Sequence, residues 1–242
     1  MAGHSKWANI KRRKGKADVI KGKIFSRLTK EIISAVRQGG PDPKSNAKLR
    51  LVIQKARAAN LPNDNIERNI KKADSAGQSD FVEMSYELYG YGGVGIIAEI
   101  MTDNRNRISS DIRIATNKKG GTVATPGAVA FNFDRKGVIQ ILKKNAVEDD
   151  LFLVVTEAGA EDFDTSDEEI FIVTTPPDQL SVVKEKIEGM GIKCEEAELQ
   201  MIPKVYVECD AEAQKLNLDL IDYLEGLDDV DVVYHNMKDC VE

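Results

Sequence analysis

The strongest constraint on the fold is the order of elements between residues 136 and 200. The apolar pattern predicts a strand, a helix, two strands, a helix and a strand at Gly137–Leu142, 147–157, 161–164, 169–174, 178–189 and Lys193–Gln200. This β-α-β-β-α-β order is that of a ferredoxin-like split unit. We therefore expect residues 136–203 to form a complete α/β domain.

A second α/β series surrounds this unit in the sequence. Before it, the pattern predicts strands and a helix at Val94–Met101, 105–118, 122–125 and 128–134. After it, the pattern predicts a strand, a helix and a strand at Val205–Cys209, Ala211–Leu224 and Val230–Tyr234. We expect residues 82–135 and 204–242 to form one domain into which 136–203 is inserted. The alternative, in which the tail packs on the inserted unit, stays open.

The first 80 residues have a different pattern. Phe25, Leu28, Ile32 and Val36 recur at helical spacing, and Gly39-Gly40-Pro41 ends that helix. A second helix contains Leu49–Ala56, with Ser45 or Asn46 as its cap, and a third contains Ile66 and Ile70. The expected fold class is α+β: a basic arm (1–23) and a helical domain (24–80), then two ferredoxin-like α/β domains, one inserted in the other.

Charge is segregated along the chain in the same way. Residues 1–80 contain 19 Lys and Arg against 7 Asp and Glu, whereas residues 81–242 contain 15 against 33. A basic end on an acidic protein indicates a polyanion-binding surface, although a solvated basic face gives the same composition. The candidate cations of the arm and first helix are Lys6, Lys11, Arg12, Arg13, Lys14, Lys16, Lys21, Lys23, Arg27, Lys30 and Arg37.

The last four cations of that set recur at helical spacing. Lys23, Arg27, Lys30 and Arg37 fall on one helix face, offset from the apolar stripe, and this face is expected to bind phosphates together with the arm. Arg105 and Arg107, between a strand and a helix, complete the candidate site. The segment Thr102–Arg107 equally fits a capped turn in which Asp103 or Asn104 accepts from free helix N–H groups.

Other functional classes find little support. The glycine spacing of Gly90–Gly95 matches a dinucleotide fingerprint, but it leads into a strand rather than a helix, so a turn is expected. The histidines are His4 and His235, and no Cys/His group has metal-ligand spacing, so neither metal nor cofactor is expected. Cys194, Cys209 and Cys240 are expected to be free thiols in a reducing cytoplasm.

Membrane association is also not expected. The N-terminus lacks the apolar core of a signal peptide, and no apolar run approaches 18 residues. The expected location is therefore the cytoplasm.

Several long motifs resemble those of the YebC family. They are Met1–Lys11, Ala58–Arg68, Thr102–Arg107 and Phe133–Gly137, and the resemblance covers nearly the whole chain. Residues 86–93 depart from the family's usual Tyr-Glu-Gly-Tyr-Gly-Pro-Gly-Gly. The resemblance implies a cytoplasmic protein with one helical and two α/β domains.

The resemblance also implies a nucleic-acid partner. Family members are described as probable transcriptional regulators that bind DNA, and others, including mitochondrial translational activators of cytochrome oxidase, resemble ribosome-associated translation factors. The first expectation is a DNA-binding transcriptional regulator without enzymatic activity. The alternative is a factor that binds ribosomal RNA on the ribosome and relieves stalling. A carboxylate-dependent nuclease is a third, weaker possibility, because the acids are many but no motif selects among them.

Overall fold

The computed structural model describes residues 17–74 and 80–238, with side chains from residue 22 onward. These residues divide into two compact units, one formed by 17–129 with 207–237 and the other by 130–206 with residue 238. Within the described ranges, no helix is long and apolar enough to span a membrane.

The described chain contains α-helices and β-strands that we number in sequence order. They are α1 Ala17–Gly39, α2 Ala47–Ala58, α3 Asn63–Asp74, β1 Val82–Tyr89, β2 Gly95–Thr102, α4 Arg105–Lys119, β3 Thr122–Val123, β4 Phe133–Leu142, α5 Glu148–Glu157, β5 Asp162–Asp164, β6 Ile170–Thr175, α6 Leu180–Gly189, β7 Glu196–Pro203, α7 Ala211–Glu225 and β8 Val230–His235.

Helices α1, α2 and α3 pack around a small apolar core in which Ile32 and Leu49 are fully buried. Asn46 caps α2, as the sequence predicted: its side chain accepts from the Leu49 amide at 3.0 Å and donates to the carbonyl of Ala35 at 2.8 Å. The cap therefore also ties α2 to α1. Helix α1 begins at Ala17 rather than at Ile24, so part of the predicted arm is helical.

The first sheet has the strand order β3-β1-β2-β8, and every pair is antiparallel. Helices α4 and α7 cover one of its faces, where Ile96, Ile112 and Leu220 are fully buried. Strand β8 comes from the end of the chain, yet it pairs with β2 along its length. The structure thus joins segments from both sides of residues 130–206 in one sheet.

The turn between β1 and β2 is the glycine-rich segment Gly90–Gly95. Gly92 and Gly93 have φ angles of 66° and 81°, which glycine adopts without steric cost. The buried amide of Asn217 accepts from the Tyr91 N–H at 2.7 Å and donates to the Tyr91 carbonyl at 3.0 Å. The segment is a fixed turn, as the sequence predicted.

The second sheet has the order β5-β6-β4-β7, and all of its pairs are antiparallel. This is the arrangement that the predicted β-α-β-β-α-β unit requires. Helices α5 and α6 share an apolar core with the sheet, in which Ile139, Leu151 and Val183 are fully buried. The expected α+β class is confirmed, and the independence of the domains stays a prediction.

Three predicted details differ from the structure. Strand β1 was not expected, and it supplies a central strand of the first sheet. The strand expected at 128–134 is instead a 3₁₀ turn at Ala130–Asn132 followed by β4. The strand expected at Val205–Cys209 is reduced to a single parallel bridge between Val207 and Met237.

Candidate nucleic-acid interface

Part of the predicted site belongs to the N-terminal arm. Its cations Lys6, Lys11, Arg12, Arg13, Lys14 and Lys16 lie outside the described residues, and the side chain of Lys21 is not described. Their role in binding stays a prediction.

Two lysines of α1 bind backbone carbonyls of the same compact unit. Lys23 Nζ donates to the carbonyl of Val230 at 2.9 Å. Lys30 Nζ donates to the carbonyls of Met101 and Asp228, both at 2.9 Å, and its side chain is only 10% exposed. Burial lowers the pKa of Lys23. Both ammonium groups therefore hold α1 against the start of β8 and the loop before it.

Carboxylates lie near Lys30 and near the neighbouring Arg27. Lys30 Nζ lies 3.7 Å from Asp229 Oδ1 and 3.9 Å from Asp231 Oδ1. Arg27 Nε lies 3.1 Å from Glu31 Oε1 and 3.9 Å from Asp231 Oδ2. Burial raises the pKa of Asp231, although Lys30 and Arg27 act in the opposite direction. The basic face predicted on α1 is thus opposed by acids of the same unit.

Arg37, the last predicted cation of α1, is also near an acid. Its Nη1 lies 3.7 Å from Asp80 Oδ1 at the edge of the next described segment. Lys23, Arg27 and Lys30 all reach residues 228–231, and phosphate binding by these side chains stays a prediction. Their internal partners indicate that joining α1 to the first sheet is one of their roles.

Arg105 and Arg107 differ in their surroundings. Asn104 is the cap of α4, where its side chain accepts from the amides of Asn106 and Arg107. Arg107 donates to Asp229 from Nε at 3.0 Å and from Nη2 at 2.6 Å. The side chain of Arg105 is exposed, and no ion pair joins it to a carboxylate in the described part of the chain. Of the two arginines, only Arg105 is therefore exposed to solvent without forming an ion pair with a carboxylate of the described residues.

Helix α2 carries a basic face that was not among the predicted site residues. Lys48, Arg50, Lys55 and Arg57 are exposed, and the helix contains no acidic residue. The signal was present in the sequence Ala-Lys-Leu-Arg-Leu-Val-Ile-Gln-Lys-Ala-Arg-Ala: at about 100° per residue, Lys48 and Lys55 lie on one flank of the buried stripe, and Arg50 and Arg57 lie on the other. We call these two pairs of side chains, which flank the exposed side of the helix, the α2 basic face.

The contacts of the α2 basic face are with neutral groups. Lys48 Nζ donates to Gln38 Oε1 at 2.9 Å, and Arg57 Nε donates to Asn63 Oδ1 at 3.3 Å. Arg50 Nη1 donates weakly to the Pro43 carbonyl at 3.3 Å. Among the described residues, no carboxylate forms an ion pair with any of the four. Such side chains can exchange a neutral partner or water for a phosphate oxygen at little cost.

In residues 17–74 and 80–238, no cluster of three or more His, Cys, Asp or Glu side chains is arranged to hold a metal ion. Cys194 and Cys209 are partly buried and form no disulfide within the described residues, and Cys240 lies outside those residues.

Comparison with known proteins gives matches over nearly the whole chain. Residues 5–76 match the model of the TACO1/YebC protein N-terminal domain, and residues 81–237 match that of the TACO1/YebC second and third domain. A probable transcriptional regulatory protein of Protochlamydia amoebophila is 69% identical over 98% of this chain and 97% of its own. One from Chlamydia pneumoniae is 58% identical over 98% of this chain and 100% of its own.

A solved structure is similar as well. The crystal structure of a conserved hypothetical protein from Aquifex aeolicus superposes with a TM-score of 0.78 at 40% sequence identity. The match covers 91% of each chain.

Proposed function

The chain belongs to the TACO1/YebC family, and from this premise we propose that it is a regulatory protein that binds DNA and acts on transcription. Relatives with 56–69% identity are named probable transcriptional regulatory proteins, a name for regulators rather than enzymes. The observation that carries the proposal is the α2 basic face, whose four exposed cations have no carboxylate partner among the described residues.

The α2 basic face is suited to phosphates rather than to base edges. The cations of helix α2 run from Lys48 to Arg57 and are therefore spread over about 14 Å at 1.5 Å per residue. One strand of a duplex presents a phosphate every 3.4 Å or so along the axis, and several phosphates therefore fall within reach. Such contacts position a protein on nucleic acid without reading its sequence.

The proposal also assigns phosphate contacts to other cations. Arg105 is exposed at the start of α4, and the arm residues Lys11, Arg12, Arg13 and Lys14 form a run of four. Lys30 and Arg107 are excluded from the direct contacts, because each is committed to Asp229 and its neighbours.

The test is a salt titration of binding to duplex DNA. The variant K48A/R50A/K55A/R57A removes the α2 basic face, and alanine preserves helix propensity. A matched control, R135A/K144A/K186A/K193A, removes four exposed cations from the other compact unit. The slope of log affinity against log salt should fall by up to roughly 3–4 in the first variant, since each phosphate contact contributes about 0.9.

The control variant and the choice of nucleic acid decide how a change of slope is interpreted. An equal change of slope in the two variants would show that only net charge matters, and the α2 basic face would lose its assigned role. The loss should also be similar on two unrelated duplexes. A loss confined to structured RNA would instead favour the ribosomal RNA alternative, and crosslinking in cells followed by sequencing of the attached nucleic acid would identify the ligand directly.

A further inference from the structure

The outer side of helix α2 carries an apolar ridge. Leu51 is 53% exposed there, and Ala47 and Ala58, four residues before it and seven after it, are exposed on the same side. The two pairs of cations of the α2 basic face flank this ridge. The helix therefore presents an apolar centre between two positively charged edges.

Helix α5, in the other compact unit, presents a similar surface with the opposite charge. Leu153 is 60% exposed. Its neighbours on the helix surface, three and four residues away, are Asp149, Asp150, Thr156 and Glu157, and all four are exposed. The helix contains no Lys or Arg. We call Leu153 and the three carboxylates around it the α5 acidic face.

The stability of helix α5 accounts for only part of this charge. Asp149 and Asp150 lie in its first turn, where carboxylates interact favourably with the helix dipole. Glu157 lies in the last turn, where the dipole favours a cation instead. In the described part of the chain, none of the three carboxylates forms an ion pair. They are therefore open to cations from another molecule.

Phe152 adds a fixed aromatic ring beside Leu153. It is half-exposed, and its ring centroid lies 5.9 Å from that of Phe163. Phe163 in turn lies 5.3 Å from Phe171, which is buried in the core. This row of rings holds the outer surface of α5 in one conformation, so that docking on it costs little side-chain entropy.

We propose that the α2 basic face of one copy of this chain docks on the α5 acidic face of a second copy. Leu51 and Leu153 then cover each other, and the cations of α2 pair with the carboxylates of α5. The two faces are different surfaces, so the contact is head-to-tail, and association continues from copy to copy through the unused face at each end.

This self-association is weak and sensitive to salt. Helices α2 and α5 have 12 and 10 residues, or lengths of about 18 Å and 15 Å. Two such helices cover much less than the roughly 800 Å² that each partner buries in a stable complex. Ion pairs near solvent are also screened by salt. The copies therefore associate at high protein concentration and low salt.

Nucleic acid and a second copy compete for α2, because both use the cations of the α2 basic face. Self-association then withdraws this face from weak, non-specific contacts, and a ligand that offers more anionic groups displaces the second copy. The competition rests on the proposed function, whereas the self-association does not.

Two charge-reversal variants test the contact. K48E/K55E reverses one flank of the α2 basic face, and D149K/E157K reverses the α5 acidic face. In sedimentation equilibrium at low salt, the average mass of the natural protein should rise with concentration above the 26.7 kDa of one chain. Each variant alone should stay at the mass of one chain. An equimolar mixture of the two should regain the rise, because each variant then meets complementary faces on the other.

Net charge alone makes the opposite prediction for one variant. D149K/E157K makes the net charge of −6 less negative, so overall repulsion between its copies is lower than in the natural protein. Association of D149K/E157K at or above the natural level would overturn the proposal. A natural protein that stays monomeric at low salt would also overturn it, as would a mixture that shows no rise.

Leu51→Asn and Leu153→Asn form a second test that leaves the charge unchanged. Each should weaken self-association by roughly tenfold, since each removes one of the two apolar side chains at the centre of the contact. The control is Ile114→Asn on α4, because Ile114 is also exposed but lies on neither face. Circular dichroism verifies that the three variants are folded. Equal association in all three would show that the two leucines do not meet.

Competition is measured separately with a dye-labelled trace of K48E/K55E, which offers only the α5 acidic face. Its fluorescence anisotropy should rise when natural protein is added at low salt, and it should fall again when duplex DNA is added. Anisotropy that DNA leaves unchanged would remove the α2 basic face from the proposed function while the self-association stands. DNA binding by the natural protein without the initial rise would reject the self-association and not the proposed function.

Discussion

Arg107 and Asp229 are joined through a single carboxylate oxygen. Asp229 Oδ2 accepts from Arg107 Nη2 at 2.6 Å and from Arg107 Nε at 3.0 Å, and it also accepts from the Thr102 hydroxyl at 2.9 Å. The other oxygen, Oδ1, lies 3.7 Å from Lys30 Nζ. Asp229 thereby connects α4, the end of β2 and helix α1, and two of the connecting residues, Arg107 and Lys30, were predicted from the sequence to bind nucleic acid.

We expect Asp229→Ala to lower the free energy of unfolding by about 3 kcal/mol or more. The side chain of Asp229 is 8% exposed, and its removal takes away the carboxylate that pairs with buried Lys30, accepts twice from Arg107 and accepts from the Thr102 hydroxyl. Urea denaturation measures the change. The neighbouring Asp228→Ala is the control, because the Asp228 side chain is exposed and only its backbone carbonyl accepts from Lys30. Equal effects of the two substitutions would show that the network contributes nothing specific.

Arg105→Ala and Arg107→Ala should separate binding from stability. Arg105 is exposed and lacks a carboxylate partner in the described chain, so its loss should change the free energy of unfolding by less than about 0.5 kcal/mol. Arg105→Ala should also lower the slope of log affinity for DNA against log salt by about 0.9. Arg107→Ala should destabilise the protein and leave the slope unchanged. The reverse pattern would return Arg107 to the binding surface.

Cys194 should react slowly with alkylating reagents at pH 8. Burial raises the pKa of its thiol to about 11, so the reactive thiolate is scarce until the pH approaches that value. In the variant C209S/C240S, alkylation of the folded protein should be roughly tenfold or more slower than that of the urea-unfolded chain. The rate should rise steeply from pH 8 to 10. Similar rates in both states at pH 8 would contradict the raised pKa.

Removal of residues 130–206 should leave the remainder folded. The first sheet takes its strands from either side of this segment, and β2 pairs with β8 directly. Replacement by a short Gly/Ser linker should preserve the circular dichroism of α1–α4 and a cooperative unfolding transition. A soluble product without a transition would show that the two units depend on each other for folding.

Helix positions were predictable because their signals are local. The spacing of Leu28, Ile32 and Val36, and the capping side chain of Asn46, depend on a few neighbouring residues. The order of elements in 136–200 was predictable for a related reason, since its hairpin and crossovers connect nearby segments. Strand β1 also carries a local signal, the alternation of Val82, Met84, Tyr86 and Leu88.

The surroundings of the cations were not predictable from spacing. The carbonyls that accept from Lys23 and Lys30 lie on β8 and in the loop before it. They are 207 and 198 residues further along the chain. A helical wheel places these lysines on one face but gives no partner for that face. The segment Val205–Cys209 illustrates the same limit, because its strand-like composition finds only a single bridge at Val207.

The late position of β8 has a consequence during synthesis. A nascent chain folds from its N-terminus, so α1 and the β1–β2 hairpin leave the ribosome long before Val230–His235 exist. Until then, Lys23 and Lys30 have no carbonyls of Val230 or Asp228 to bind, and the edge of β2 is unpaired. A chain released prematurely would expose that edge to another truncated copy, which makes aggregation the expected fate of incomplete products.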